Sequence, residues 1–384
     1  MRPFLIIVII LPAFCLAKGQ DTEQTPADSF VFIGQFSSWA NFNPNNDLPL
    51  WIGARYIPQI DYNIQLPKTR LIDFELSANL NGNVGIQWTD TASANGKIKP
   101  YRIWTRYSTR QFELRLGLQK INFGSASLLR PLMWFDQIDP RDPLKLTDGV
   151  WSILSRYYFL NNANLWLWCL YGNKNPKGWE TIRTNQKYPE VGGRFQFPVP
   201  HGETALSYHF RVADSHNTNP AIPTFSEIAE NRIGFDTRLD LLVGCWFEGS
   251  WVSKAKDVGI LTNQEILNLG VDYTFGMGNG LYVIFEQLVA SFDENAFAFD
   301  NTVSFSLISL SYPVGLFDNL STIVYFDWKN RVTYNFINWQ KQFDKVTLYL
   351  MGYWNPKKYQ IPTLDQGQNL YAGQGLQCMF VYNY

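Results

Sequence analysis

From residue 30 to the end of the chain, apolar and polar side chains alternate in runs of roughly ten residues, separated by a short turn and then a longer polar connection. The run 52–66 sets Ile52, Ala54, Tyr56, Ile60, Tyr62, Ile64 and Leu66 against Arg55, Gln59, Asp61, Asn63 and Gln65. Pro67-Lys68-Thr69 reverses the chain, and the return run sets Ile72, Phe74, Leu76, Ala78 and Leu80 against Asp73, Glu75, Ser77, Asn79 and Asn81. A period of two is that of a strand with unlike faces, and slipping the register by one residue would exchange those faces. The same split recurs. Tyr101, Ile103 and Tyr107 oppose Arg102, Trp104 and Arg106; Leu206, Tyr208 and Phe210 oppose Ser207, His209 and Arg211. Ile233, Phe235, Leu239 and Leu241 oppose Arg232, Asp236, Arg238 and Asp240, and Leu267, Leu269, Val271, Tyr273 and Phe275 oppose Asn268, Asp272 and Thr274. Val332, Tyr334 and Phe336 oppose Arg331, Thr333 and Asn335, whereas 166–170 and 282–286 are apolar on both sides and leave their orientation open.

Connections near 67–69, 108–110, 199–202 and 241–243 are short, and those near 122–149, 173–189 and 213–230 are long. Short turns on one rim and long loops on the other predict an all-β, antiparallel transmembrane β-barrel. Counting runs gives about eighteen strands, with sixteen as the alternative if Phe30 to Phe42 or a weak hairpin stays outside the membrane. The final run, Gly375 to Tyr384, places Leu376, Cys378, Phe380, Tyr382 and Tyr384 on one face and ends on an aromatic residue. Such a strand is expected to be read by the barrel-assembly machinery and to pair with the first strand, leaving no free edge.

One connection stands apart. After the run Arg110 to Ile121, which sets Phe112, Leu114, Leu116, Leu118 and Ile121 against Glu113, Arg115, Gly117 and Gln119, residues 122–149 mix a greasy stretch (Leu128 to Phe135) with charged groups. A loop this long inside a compact domain is usually functional. Its composition predicts that it folds into the barrel interior.

Composition sharpens the choice between a membrane barrel and a secreted sandwich, which would also alternate. Aromatic residues make up 16% of the chain and charged residues 17%, which suits interfacial aromatic girdles better than a solvated surface. Trp39, Trp51, Trp88, Trp151, Trp179, Trp339 and Trp354 fall at run ends, where girdles are expected. A net charge of −1 makes nucleic-acid binding an unlikely role. At the start, Met1-Arg2-Pro3, the apolar run Phe4 to Leu11 and small residues at Ala17 or Gly19 predict a signal peptide over 1–19. A polar leader (20–29) and one barrel (30–384) would follow. Cys169, Cys245 and Cys378 sit in separate runs with no short spacing, which indicates small apolar residues rather than a disulfide framework or metal site.

With apolar faces toward lipid, the polar faces would line a lumen with Arg55, Arg102, Arg106, Arg115, Arg194, Arg211, Arg232, Arg238 and Arg331. They would add Asp61, Asp73, Glu75, Glu113, Asp236, Asp240, Glu248 and Asp272. A barrel this wide leaves an aqueous channel, and rings of charge then decide what enters. The segment Arg115-x-Gly117-x-Gln119, Phe123-Gly124, Asp139-Pro-Arg141-Asp142-Pro143 and Asp148-Gly149 resembles the porin-like outer-membrane barrels that include the alginate-export family. Leu118 stands where that family commonly has a second Arg, and Phe123 where it has Trp. The resemblance implies a charged bore narrowed by loops. Within the long loop, Arg130, Asp136, Asp139, Arg141, Asp142 and Lys145 are the expected constriction, with Pro140 and Pro143 stiffening the backbone.

Enzyme chemistry has little support. Ser207 and His209 share a face, but it is the inward one, and sequence proximity alone does not make a catalytic pair. No phosphate-binding loop or metal-ligand spacing appears, and no cofactor is expected. The expected role is a passive channel for small hydrophilic or charged solutes in the outer membrane, surrounded by lipid and lipopolysaccharide. The alternatives are an adhesion barrel presenting Trp179 on the loops 173–189 and 213–230, a polysaccharide-export barrel, and a soluble secreted β-protein.

Overall fold

The computed structural model describes residues 28–87, 92–216, 218, 222–357 and 370–384. The expected signal peptide, most of the polar leader and Trp88 lie outside the described residues. The alternating runs form strands β1 (Ser29–Phe42), β2 (Leu50–Leu66), β3 (Arg70–Ile86), β4 (Ala92–Ser108), β5 (Phe112–Gln119), β6 (Val150–Tyr158) and β7 (Asn164–Leu170). The two-residue β8 (Arg183–Thr184) is followed by β9 (Glu190–Val199), β10 (Gly202–Asp214), β11 (Ile228–Asp240), β12 (Gly244–Lys254) and β13 (Asn263–Phe275). Then come β14 (Leu281–Asp293), β15 (Thr302–Pro313), β16 (Asp318–Asp327), β17 (Val332–Gln342), β18 (Val346–Trp354) and β19 (Gln374–Asn383).

Successive wall strands pair antiparallel, and β7 pairs directly with β9 because β8 only flanks the end of β10. Among the described residues the wall is a closed barrel of eighteen strands. It closes where β1 meets β19, from Gln35 opposite Asn383 to Phe42 opposite Leu376. Beyond that ladder Gly34 and Tyr384 exchange backbone bonds of 3.1 and 3.2 Å, and Gly34, having no side chain, makes room for the Tyr384 ring. Short turns gather on the rim that also holds both ends of the described wall; the loops 120–149 and 171–189 leave from the other. A closed wall with an apolar exterior is the architecture of outer-membrane barrels, the one form in which strands satisfy every backbone group inside a bilayer.

The exterior is apolar where the alternation predicts it: Leu206, Tyr208, Ile233, Phe235, Leu269, Val271, Leu376 and Phe380 are all exposed. The partners of Cys169, Cys245 and Cys378 in the ladders place all three cysteines on this face too. Leu269→Arg, in the middle of β13, should therefore cost about 2–4 kcal/mol of membrane insertion. Refolding into lipid vesicles is expected to fall sharply for this variant but not for Gln59→Arg, whose new charge faces Asp61 inside; equal yields would contradict the assigned faces.

Five expectations about facing are corrected. In β17, Tyr334 and Phe336 point inward at 1% and 3% exposure, with Asn335 on the outer side, because they pack against Tyr325, Tyr353 and Tyr371 beneath the infolded chain. Arg331 accordingly does not line the wall; it lies exposed in the turn before β17. Tyr101 turns inward, because a β-bulge opposite Ser77 and Ala78 inserts one extra residue into β4 and re-aims its neighbour. Ile121 lies beyond the end of β5 and is fully buried with Phe123, Trp134 and Phe135. Trp39 and Trp51 sit on inward positions beside Asn41 and Gly53 rather than in an outer girdle. The two runs left open resolve as Trp166, Trp168 and Leu170 inward with Leu167 outward, and Glu286 inward with Phe285 outward.

Candidate functional site

The loop 120–149 crosses the lumen and is bolted to the far wall by carboxylates. Glu248 of β12 accepts from the backbone N–H of Ala126 at 2.7 Å and of Leu132 at 2.6 Å. Glu286 of β14 accepts from Ser127, Leu128 and Leu129 at 2.6–3.2 Å. Asp236 of β11 accepts from the Ser125 hydroxyl at 2.9 Å while paired with Arg194, and the Trp134 indole donates to Ser250 at 3.0 Å. A segment with no ladder of its own would leave buried N–H groups unsatisfied, and these charged acceptors answer that need with the stronger class of hydrogen bond. Gly124, at φ +111°, sits against the Glu248 carboxylate where any Cβ would collide. Gly117, at φ +121°, lies just as tightly against Ile103 of β4. Gly117 and Gly124 of the motif segment are thus required by close approach.

Apolar contacts complete the bolt. Phe123 stacks on Trp168 at 5.5 Å, and Phe135 meets Trp168 edge-on at 5.3 Å. Leu128 and Leu129 pack against the ring cluster on β16 to β18.

A second loop enters beside the first, which sequence reasoning missed. In 171–189, Trp179 donates through its indole N–H to the Arg130 carbonyl at 2.9 Å. Ile182 is fully buried. Glu180 reaches Arg232 at 2.6 Å and Arg211 at 3.1 Å. Glu230 binds Arg211 at 2.6 Å, Arg232 at 2.7 Å and Lys254 at 3.6 Å, forming a buried knot of charges. Trp179 therefore faces the interior, which removes the surface presentation on which the adhesion alternative rested. The partners of Trp179 and Glu180 lie on Arg130 and on β10 and β11, far along the chain, so the local sequence carried no signal of them.

The expected constriction residues divide into two groups. Arg130 and Asp136 are buried partners at 2.8 Å, and Arg130 also donates to Asn122 and to the Phe123 carbonyl, so this pair shapes the loop from within. Arg141 forks onto Asp139 at 2.6 and 2.8 Å and lies 4.9 Å over the Tyr371 ring. Asp142 lies in the cavity described below, and Lys145 is exposed at φ +47°.

The expected lining residues divide as well. Arg194, Arg211, Arg232 and Asp236 are inward but buried beneath the two loops. Arg55, Asp61 and Glu75 are only partly covered, as is Gln35 of β1, so the less covered side of the interior lies along β1 to β5. Toward the short-turn rim this wall carries a basic cluster. Arg106 forks onto Asp73 at 2.8–3.0 Å, and Glu113 is approached by Arg115, Arg156 and Arg106 at 3.1, 3.6 and 3.8 Å. Arg115 lies 4.6 Å over Trp104 and Arg156 3.8 Å over Trp166, contacts that hold each guanidinium flat. Arg238 bridges Asp240 and Asp272 near that rim. Arg102 donates to the Thr147 carbonyl at 2.9 Å, tying the end of the loop to β4.

Between the loop and β2 to β4 lies a polar cavity of about 200 Å³, lined by Arg55, Asn79, Lys99, Tyr101, Gln137, Asp139, Asp142, Leu146, Thr147, Asp148 and Lys177. Burial pushes the Asp148 carboxyl up, but the bonded Lys99 ammonium at 2.5 Å, with Lys177 and Lys97 beyond it, holds it below the usual carboxylate range. Burial pushes the Asp142 carboxyl up, against the Leu144 N–H and the Arg55 charge. It draws the Lys177 ammonium down, against Asp148 and Glu180.

No nucleophile–base pair forms at His209. Its Nδ1 accepts from the Trp168 indole at 3.1 Å and its Nε2 faces Glu190 at 3.2 Å, while the Ser207 hydroxyl accepts from Arg194.

No protein-family model matches the chain, and no curated protein matches it. Solved structures do. OmpT of Vibrio cholerae, in a trimer form folded in vitro, aligns over 94% of this chain and 100% of its own with a TM-score of 0.50 at 9% identity. An anion-selective porin from Comamonas acidovorans aligns over 93% and 100% with a TM-score of 0.48 at 10% identity. A mutant porin of Rh. blastica covers the same shares at 0.47 and 10%. The likeness is one of fold: this chain shares the closed antiparallel β-barrel architecture of the Vibrio cholerae outer-membrane protein.

Proposed function

We propose that the protein is a passive channel through the outer membrane for small hydrophilic or charged solutes, with the infolded loop 120–149 and its partner 171–189 narrowing an off-centre passage. The observation that carries this reading is the contrast between the two sides of the lumen. Mid-wall inward side chains on β9 to β14, among them Arg194, Arg211, Arg232, Asp236, Glu248 and Glu286, are sealed under the loops, whereas Arg55, Asp61 and Glu75 on β2 and β3 are only partly covered along a wall that also carries Arg115 and Arg156. Half-hydrated charges of both signs suit a path for solutes, since a sealed plug would have every one paired and covered. The surrounding phase is lipid and lipopolysaccharide, and the aromatic-ended β19 is the natural handle for the barrel-assembly machinery.

Purified protein in planar bilayers should give discrete ohmic current steps, and liposomes containing it should swell in small sugars. A barrel that inserts in full yield yet passes neither ions nor sugars would end the channel reading. A polysaccharide-export role would instead require swelling or flux with oligosaccharides too long to tumble freely in the bore.

A further inference from the structure

We propose that the cavity between the long loop and β2 to β4 is a binding subsite for small anions bearing a carboxylate or phosphate, with Arg55 and Lys177 as its free cations. This rests on the channel reading for its physiological role, but the site itself is argued from which charges around the cavity are already spent.

Three carboxylates line it, and two are committed. Asp139 is forked by Arg141 through two bonds of 2.8 and 2.6 Å, and Asp148 is held by Lys99 at 2.5 Å. The third, Asp142, accepts the Leu144 N–H at 3.0 Å. On the basic side, Arg55 makes no ion pair among the described residues and its buried Nε has no hydrogen-bond partner. Lys177 lines the same cavity, and no ion pair involves its ammonium among the described residues. Behind Tyr101, 4.0 Å over its ring, Arg102 is bonded only to carbonyls, those of Tyr101 and Thr147. Cancelling the bonded pairs leaves Arg55 and Lys177 at the lining, with Arg102 behind it, against the single carboxyl of Asp142; burial disfavours the charged forms of Asp142 and Lys177 alike.

The surplus is positive and the cavity is water-sized to small-solute-sized, with Asn79, Gln137 and Thr147 available for secondary polar contacts. The Arg55 guanidinium lines the cavity without a carboxylate partner among the described residues, and an oxyanion matches its planar fork of N–H donors. Attraction between unit charges a few ångströms apart is strong where water is partly excluded, and it biases which ions pass.

Two measurements test the site. In planar bilayers under a KCl gradient, the reversal potential should report several-fold preference for chloride over potassium in the natural protein. It should fall to near parity in the conducting double variant Arg55→Gln/Lys177→Gln and be retained in Arg55→Lys. Added inorganic phosphate should reduce the single-channel current of the natural protein but not of the double variant. A cation-preferring natural channel, or a double variant with unchanged reversal potential and phosphate block, would overturn the proposal. Calorimetric titration of inorganic phosphate into the detergent-solubilised protein needs no conduction. Binding that the double variant abolishes would sustain the subsite even if the channel reading failed, and no binding in a conducting protein would remove the subsite alone.

Discussion

Replacing both Glu248 and Glu286 with alanine is expected to raise single-channel conductance several-fold and to turn quiet current steps into noisy ones. Glu286 receives three consecutive backbone N–H groups of the loop and Glu248 receives two more. Each of these bonds contributes about 0.5–3 kcal/mol, and an amide left buried without a partner costs about 1–3 kcal/mol. Losing both carboxylates thus removes more than the packing of Leu128 and Leu129 can replace, and the loop should leave the centre of the bore. Glutamine at both positions keeps an oxygen in place and should give an intermediate conductance. Heat-modifiable migration on gels would verify that the wall still folds. Folded alanine variants with the conductance and noise of the parent would show that the loop is held by its apolar contacts alone.

The second large effect is expected at Glu230. It neutralises Arg211, Arg232 and Lys254 in a region where all four side chains are almost entirely buried, with Glu180 bonded only to the two arginines. Removing one partner from a buried ionic cluster costs about 3–5 kcal/mol, because the remaining charges stay desolvated without compensation. Glu230→Ala should lower the thermal midpoint of the detergent-solubilised barrel by many degrees, and proteases should then cut within 171–189, since Glu180 alone cannot anchor that loop. An unchanged midpoint, with the loop still protected, would mean that water reaches this cluster and screens it.

The wall was readable from the sequence because lipid enforces a strict period of two. Outward positions across the middle of β2, β11 and β13 are nearly all apolar, and the rows of Ile, Leu, Tyr and Phe there declare their direction without help. The interior was readable only where it stays wet. Where loops fill the lumen, as over β16 to β18, an inward position also favours aromatic residues, so the alternation at Tyr334 and Phe336 keeps its period but loses its sign. A bulge hides in the same way. Tyr101 changes sides because one extra residue in β4 has no mark of its own in the sequence. Gly117 and Gly124 did carry local information, since only glycine fits those approaches. Residues whose meaning depends on distant strands, such as Glu286 under Leu129 or Trp179 under Arg130, carried none that neighbouring positions could reveal. Of the charged loop residues, Arg130 and Asp136 are bound to each other inside the fold, and the knot around Arg141 turns toward the cavity.

The acceptors that hold the loop in place lie far along the chain from it: Leu129 and Glu286 are 157 positions apart. Because the carboxyls that seat it belong to β12 and β14, the loop cannot take its final position until the wall on the opposite side of the lumen has formed.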